Sequence, residues 1–301
     1  MSELAPHTVL FRSNSVVIRD YQCCRRDRGL TDETLAPFSS VAIPRRGVFV
    51  KHVDGESVVA DTNHAIFFNC GETYRVSHPY GCGDRVTEFG MMPRVVSDIH
   101  RSLDGRESRR FSQTHCSLEA APYLVARHVF RLAVHDGPAD AVALEEIALR
   151  LVGRITAGTT GLRDKRSRQR AATSRAHDEL ADAVMLLMAG RYAEPLTLDL
   201  IAADVHSSPF HLCRVFKTRV GRSVHRYLTQ LRLRAALERV VQGERCLTRL
   251  ATEVGFSSHS HLSHAFRREF GTTPSAVRAP LTAGAVRQMS KILTGPAAAV
   301  A

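Results

Sequence analysis

One short stretch of this chain occurs twice, and this repeat constrains the fold more than any other feature of the sequence. The first copy reads HLCRVFK at 211–217 and is followed by Gly221, and the second reads HLSHAFR at 261–267 and is followed by Gly271. A segment repeated at a fixed period indicates that one structural unit has been built twice. We therefore expect two similar units in the last third of the chain.

Each repeat follows a short apolar pattern with helical spacing. Its positions i, i+3, i+4 and i+7 are occupied by Leu198, Ile201, Ala202 and Val205 in the first unit and by Leu247, Leu250, Ala251 and Val254 in the second. Serines and a proline then mark the start of another helix, at Ser207-Ser208-Pro209 and at Ser257-Ser258, and Gly221 and Gly271 mark its end. The pattern predicts two helix-turn-helix units, in which the second helix enters the major groove of DNA.

The second helix of each unit has an apolar face and a polar face. Leu212, Val215 and Phe216 are predicted to point inward. The outward residues are the candidate DNA contacts: Ser208, Phe210, Cys213, Arg214 and Lys217 in the first unit, and His259, Ser260, Ser263, His264 and Arg267 in the second. A lone exposed arginine is usually only solvated, but within this repeat Arg214 is the best candidate for a bidentate contact with guanine, whereas Lys217 and Arg267 suit phosphates.

A continuous helical pattern from Ser223 to Val241 connects the two units. A helix of this length spans roughly 28 Å, and successive major grooves on one face of B-DNA lie about 34 Å apart. We therefore expect one chain to read two adjacent groove segments.

The charge of the chain agrees with a polyanionic partner. There are 41 lysine and arginine residues against 30 aspartate and glutamate residues, a formal net charge of +11. Nearly all of this excess is arginine, so composition bias is an alternative explanation for part of it. Acidic small substrates also stay open as partners. The cysteines, which number seven, lack the spacing of a disulfide scaffold. With no leader-like start and no long apolar run, we expect a cytoplasmic protein with reduced thiols and no membrane segment.

The N-terminal part of the sequence has a different pattern. From Val9 to Phe111 short apolar runs alternate with turn residues, which predicts an all-β barrel or jelly roll with strands at 40–43, 47–50, 57–60 and 65–68. Helical spacing from Leu118 to His135 and from Ala139 to Ile155 predicts a helical hairpin, whose spare apolar stripe is a hypothetical homodimer contact.

These patterns divide the chain into four parts. We predict an effector and dimerisation domain at 1–155, a basic linker at 156–175, a DNA-binding domain at 176–279 and a disordered tail at 280–301. The linker's charge run is more often solvated than bound, but a phosphate-contacting arm stays open.

The C-terminal hundred residues resemble the AraC/XylS family of bacterial transcription activators. The resemblance rests on Ala202, Ser207, Phe216, Gly221, Arg232, Ala236, Leu250, Ala251, Gly255, Phe256, Phe266, Gly271, Pro274 and Arg278. It implies a two-domain fold, with a cupin-like barrel and helical hairpin before the all-α tandem helix-turn-helix domain. It also implies contact with double-stranded DNA and RNA polymerase, and a small-molecule effector in the N-terminal domain. His264, Leu262 and Val277 depart from the family pattern, and the first of these affects the base preference expected of the second unit.

Other functions stay open. A cupin-type metal enzyme would use His52, Glu56, His64 and His78, but no His-x-His pair is followed closely by a glutamate. A metal or redox sensor would use Cys23, Cys24, Cys70 and Cys82 together with the nearby histidines, but none of these cysteines has Cys-x-x-Cys spacing. The histidines at 259, 261 and 264 scatter around a helix, and a purely structural interaction protein would leave the paired outward faces unexplained. We expect no catalytic residue, no metal and no cofactor.

Overall fold

The computed structural model describes residues 7–81, 83–135, 141–159 and 171–279, together with Met289 and Leu293. Its N-terminal part is β-rich and its C-terminal part is helical, which confirms the predicted two-domain fold class. The described strands are β1 His7–Arg12, β2 Val16–Cys23, β3 Thr34–Leu35, β4 Ser39–Gly47, β5 Phe49–Val53, β6 Glu56–Ala60, β7 His64–Phe68, β8 Thr73–Ser77, β9 Asp84–Met91 and β10 His115–Ser117.

The strands form two antiparallel sheets. One sheet has the order β1-β2-β9-β4-β7-β10 and the other β3-β8-β5-β6. Side chains alternate between the two faces of β4, so Ala42 packs between the sheets whereas Val41 and Ile43 pack on the opposite face of the larger sheet. This alternation explains why the sequence showed short, nearly continuous apolar runs, because both faces of the larger sheet are covered.

The helices are α1 Pro93–Asp104, α2 Ala120–His135, α3 Ala141–Ala157, α4 Ala171–Arg191, α5 Leu198–Asp204, α6 Pro209–Val220, α7 Val224–Val241, α8 Leu247–Glu253, α9 His259–Phe270 and α10 Pro274–Arg278. The prediction of an all-β segment up to Phe111 is wrong at α1. This helix begins at a proline and ends at Gly105, which has a left-handed φ of 72°. It buries Val95 and Val96.

Helices α2 and α3 form the predicted hairpin. Most of the apolar stripe on α3, including Leu144, Ile147 and Leu151, is buried within the chain itself. Val134 and Val142 stay exposed near the tip of the hairpin. The apolar surface left for a second subunit is therefore smaller than the sequence suggested.

Two cores extend across both parts of the chain. The covered face of the larger sheet, α2, α3 and the second helix-turn-helix unit share one core, in which Phe89, Leu151 and Phe266 are fully buried. The first unit shares another core with Val48 and Val59 of the β-rich part. Each helix-turn-helix unit therefore packs against a different part of the N-terminal domain.

Two boundaries of the predicted division can be compared with described residues. Helix α3 ends at Ala157 and α4 begins at Ala171, so both ends of the predicted linker 156–175 are helical, while 160–170 lie outside the described residues. Met289 and Leu293 belong to the tail predicted to be disordered, yet both are helical and buried in the core shared by the second unit. No described helix is long and apolar enough to span a bilayer.

Candidate nucleic-acid interface

The first helix-turn-helix unit consists of α5 and α6. The Ser208 hydroxyl accepts a hydrogen bond from the amide of His211 at 3.3 Å and Pro209 occupies the first turn, so α6 begins where the sequence predicted. It ends at Gly221, whose φ of 75° only glycine adopts readily. Leu212 and Phe216 are buried against α4, α5 and α7. The opposite face of α6 is therefore left to solvent.

The second unit, α8 and α9, repeats these local features. The Ser258 hydroxyl accepts from the amide of His261 at 3.1 Å, and Gly271 ends α9 with a φ of 68°. Leu262 and Phe266 occupy the buried positions that correspond to Leu212 and Phe216. The two repeats of the sequence are thus two copies of one structural unit.

The candidate DNA contacts all lie on the solvent side of α6 and α9 or at their N-termini. Phe210 is 81 % exposed, which is unusual for so large an apolar side chain. The other exposed positions are Ser208, Arg214, Lys217, His259, Ser260, His264 and Arg267, and those of intermediate exposure are Cys213 and Ser263. His261 is also exposed, although its ring contacts Phe256 edge-on at 5.0 Å between centroids.

Ion pairing separates the arginines of this domain into two groups. Arg239 and Arg249 pair with Glu244 and Glu253 at 2.6 to 3.7 Å. Within the described part of the chain, Arg214, Lys217 and Arg267 have no acidic partner. A nearby contact of Arg214 is with the ring of His211, whose Nδ1 lies 3.4 Å from Nη2. These unneutralised cations on the outward faces can therefore meet phosphates or base edges without first breaking an ion pair.

The turn of the second unit depends on two residues from the family pattern. Gly255 has a φ of 86°, and a β-carbon there would meet the Arg232 guanidinium and the carbonyl of Ala193. Arg232 in turn donates to the carbonyls of Tyr192 and Glu194 at 2.7 and 2.8 Å. Arg232 therefore joins the end of α4 to the turn that positions α9.

The connecting helix α7 is buried by polar as well as apolar contacts, which sequence reasoning missed. Arg234 is fully buried and donates to the carbonyls of Thr62 and Leu118, both in the N-terminal domain, and its guanidinium lies 4.4 Å from the centroid of the Tyr123 ring. Burial lowers the pKa of Arg234 to about 10, so the group stays charged at neutral pH. Separating the two domains would leave this buried guanidinium without these two hydrogen bonds, which opposes their separation.

A second contact of α7 joins Tyr227 to Asp61. The Tyr227 hydroxyl donates to Asp61 Oδ2 at 2.5 Å, and the other oxygen of Asp61 lies 2.9 Å from His64 Nδ1. Burial raises the pKa of Asp61, but the charge of His64 and the hydrogen bonds outweigh it, and the net pKa is lowered. Burial and the Asp61 charge raise the pKa of Tyr227, which therefore stays a hydrogen-bond donor.

A third contact of α7 is the carboxylate of Glu238, which is 4 % exposed. It lies 3.1 Å from Arg45 Nη1 and 2.7 Å from Arg127 Nε. Arg45 comes from β4 and Arg127 from α2, so one buried carboxylate holds two parts of the N-terminal domain. The sequence signal for these contacts was present but ambiguous, because charged residues on a long helix are usually solvated.

The histidines considered for a cupin-type metal enzyme are not brought together. The ring nitrogens of His52 form hydrogen bonds with the hydroxyls of Ser57 and Ser77 at 3.0 and 2.9 Å. His64 forms a hydrogen bond with the Asp61 carboxylate. His78 lies elsewhere, beside Asp84, and Glu56 is exposed. Among the described cysteines, Cys24 and Cys70 are exposed, and Cys82 lies outside the described residues.

Comparison with known proteins agrees with this geometry. Residues 201–280 match the family model described as a helix-turn-helix domain. The transcriptional regulator ArgR of Pseudomonas aeruginosa is 40 % identical over 98 residues, which are 33 % of this chain and 30 % of that protein. The regulatory protein SoxS of Salmonella typhimurium is 34 % identical over 85 residues, 28 % of this chain and 79 % of SoxS.

A longer match is found with the transcriptional activator RhaS of Shigella dysenteriae. It is 28 % identical over 251 residues, which cover 80 % of this chain and 85 % of RhaS. The match therefore includes much of the β-rich part as well as the helix-turn-helix domain. The tandem units define a DNA-binding transcription regulator as the class of protein. The chain belongs to the AraC/XylS family.

Proposed function

We propose that this protein is a sequence-specific DNA-binding transcription regulator, an activator that reads two adjacent major-groove segments with α6 and α9. The observation that carries the proposal is the pair of capped, solvent-facing helices whose outward cations lack acidic partners. The helix between them, α7, has 18 residues and spans about 27 Å, close to the separation of adjacent grooves.

The ten candidate contacts have different roles in this proposal. Arg214 offers its guanidinium to guanine O6 and N7, and Phe210 offers an apolar surface to a thymine methyl group. Ser208 and Ser260 lie at helix N-termini, where hydroxyls and amides suit phosphates. In the second unit His264 takes the place of Arg214 and forms a single rather than a bidentate contact with a base edge.

The N-terminal domain controls DNA binding in this proposal. Each unit packs on a different part of that domain, and Arg234, Tyr227 and Glu238 hold α7 against it. A signal that shifts the β-rich part therefore changes the relative placement of α6 and α9. We further propose a small-molecule effector in this domain, a homodimer formed near the hairpin tip around Val134 and Val142, and recruitment of RNA polymerase by a neighbouring surface.

We propose no catalytic activity for the chain. The enzyme alternative required a metal centre of barrel histidines, and His52 and His64 are bonded to other side chains. Control of transcription requires only that binding of DNA and of partners be coupled.

Selection of bound sequences from a random duplex pool by the full chain tests the proposed function. We expect a recovered motif with two boxes about one helical turn apart. The same selection in higher salt retains the motif while total binding falls, because phosphate contacts release counterions and base contacts do not. Recovery of no motif, with weak binding that is lost in salt, would refute sequence-specific regulation.

A further inference from the structure

Three side chains with metal-binding atoms converge at one edge of the β-rich domain. Cys23 is the last residue of β2 and Asp84 the first of β9, and the two residues are direct partners in the antiparallel ladder. Directly opposed residues place their side chains on the same face of the sheet. His78 follows β8 and reaches the same place, with Nε2 at 2.5 Å from Asp84 Oδ2.

The three groups are close enough to share one ion. One potential ligand atom from each of Cys23, His78 and Asp84 lies within 4.8 Å of the others. His78 is 3 % exposed, and its Nδ1 is a buried polar atom without a hydrogen-bond partner in the part of the chain that the structure describes. The Cys23 thiol forms a side-chain hydrogen bond with the His78 ring, so the thiol and the imidazole already lie in direct contact.

The backbone around the cluster leaves no room for ordinary side chains. Gly83 has a φ of 63°, and a β-carbon there would lie 2.2 Å from the carbonyl oxygen of Cys23. Gly47, with a φ of 79°, would in the same way meet the carbonyl oxygen of Gly83 at 2.2 Å. Two left-handed glycines thus allow the turn before β9 to press against the end of β2. This close approach is what brings the thiol to the carboxylate.

We propose that Cys23, His78 and Asp84 form a binding site for one divalent transition-metal ion of the zinc class. Thiolate, imidazole and carboxylate are the three ligand types that zinc takes in proteins, and three protein ligands leave a fourth position open. The thiolate and the carboxylate together neutralise the charge of the ion. A cavity of about 390 Å³ lined by both Cys23 and Asp84 adjoins the cluster, and Arg46 and Arg85 also line it. The cluster therefore borders a space that admits water or a small anion.

The turn that carries His78 also contacts the DNA-binding domain. The ring of Tyr80, two residues further on, packs so closely on Gly190 of α4 that a β-carbon at position 190 would lie 2.5 Å from it. An ion that fixes this turn therefore fixes a contact between the two domains. This consequence for DNA binding rests on the proposed function, whereas the metal site itself does not.

Titration of the full-length, metal-free protein with Co²⁺ tests the site directly. Cobalt occupies zinc sites and absorbs light, and a thiolate ligand adds an intense charge-transfer band. We expect one equivalent of Co²⁺ to produce this band and zinc to displace it. Cys23→Ser should abolish the band, and Asp84→Asn should weaken binding. Cys246→Ser should leave the band unchanged, because Cys246 is exposed and lies at the start of α8.

A measurement on the unaltered chain guards against variants that fail to fold. Alkylation of the cysteines, followed by peptide mapping, should show that zinc protects Cys23 and leaves the exposed Cys70 and Cys246 as reactive as before. Absence of the cobalt band, its persistence in Cys23→Ser, or equal protection of all three cysteines would overturn the proposal. None of these readouts involves DNA, so the metal site and the regulator function fail or stand separately.

Discussion

Neutralising Glu238 should loosen the contact between the two domains. The Glu238→Gln substitution keeps the shape of the side chain but removes the charge that faces Arg45 and Arg127. Arg45 would keep its ion pair with Asp20. Among the described residues, Arg127 has an ion pair with Glu238 alone, so the substitution would leave it without an acidic partner. Burial and the nearby charge of Arg127 already lower the pKa of Arg45, so the two guanidiniums repel each other once the carboxylate is neutral.

The expected magnitude follows from burial. Both Arg127 and Glu238 are almost completely inaccessible to solvent, and loss of one partner of such a pair costs about 3 to 5 kcal/mol. The matched control is Glu253→Gln, because Glu253 also lies between two arginines, Arg239 and Arg249, but is 41 % exposed. Exposed pairs of this kind contribute about 0 to 1 kcal/mol.

Urea unfolding and amide hydrogen exchange of the full chain provide the assay. Glu238→Gln should give an earlier transition and faster exchange along α7, and Glu253→Gln should resemble the unaltered protein. Adding Arg127→Met to Glu238→Gln should restore part of the stability, because the buried charge left without a partner is then removed as well. Equal losses for the two glutamate variants would refute the argument that Glu238 holds the domains together.

Three further predictions concern pH, an exposed ring and phosphate contacts. Burial lowers the pKa of His128 to about 4 from the usual 6.5, so the stabilising effect of the neutral ring is present above pH 6.5 and is lost as the pH falls toward 4. Over that pH range the unaltered chain should lose about 3 kcal/mol more unfolding free energy than His128→Gln, as measured by urea titration. Parallel curves of unfolding free energy against pH for the two proteins would contradict this prediction. Phe210→Ala should change the unfolding free energy by less than about 0.5 kcal/mol, because the ring is exposed. The same substitution should weaken DNA binding by about 1 kcal/mol or more, as measured by fluorescence anisotropy. An unchanged affinity would exclude Phe210 from the interface. Lys217→Ala and Arg267→Ala should each reduce the slope of log affinity against log salt by about one without changing base preference, and an unaltered slope would mean that the residue contacts no phosphate.

The repeat made the helix-turn-helix units predictable from sequence, because their signals are local. Serine caps, glycine stops and apolar positions at helical spacing lie within one or two turns of each other, and the structure places Ser208, Gly221 and Phe216 as expected. The four predicted strands were also found from local signals, namely short apolar runs bounded by turn residues. Helix α1 was not predicted, although Pro93 and Gly105 mark its ends, because it lies within a region whose other apolar runs have the pattern of strands.

The contacts between domains were not predictable in this way. Arg234 and Glu238 read as ordinary charged residues of a solvated helix, and only their partners, more than a hundred residues away, make them buried. The metal-binding cluster illustrates the same limit, because Cys23 and Asp84 become neighbours through strand register. The sequence suggested a possible sensor that combined Cys23 with nearby histidines, but it did not single out Asp84 as a ligand.

The most direct test of the account assigns each recognition helix to its own part of the DNA site. Affinities of the full-length Arg214→Ala and His264→Ala variants would be measured on the selected duplex and on duplexes with single base changes in either box, with Arg249→Ala, an arginine paired with Glu244, as the control. We expect Arg214→Ala to lose about 1 to 3 kcal/mol of base discrimination in one box only, His264→Ala to lose a smaller amount in the other, and the control to lose neither. Equal loss in both boxes, or unchanged discrimination in the Arg214→Ala variant, would contradict the claim that α6 and α9 read two adjacent groove segments.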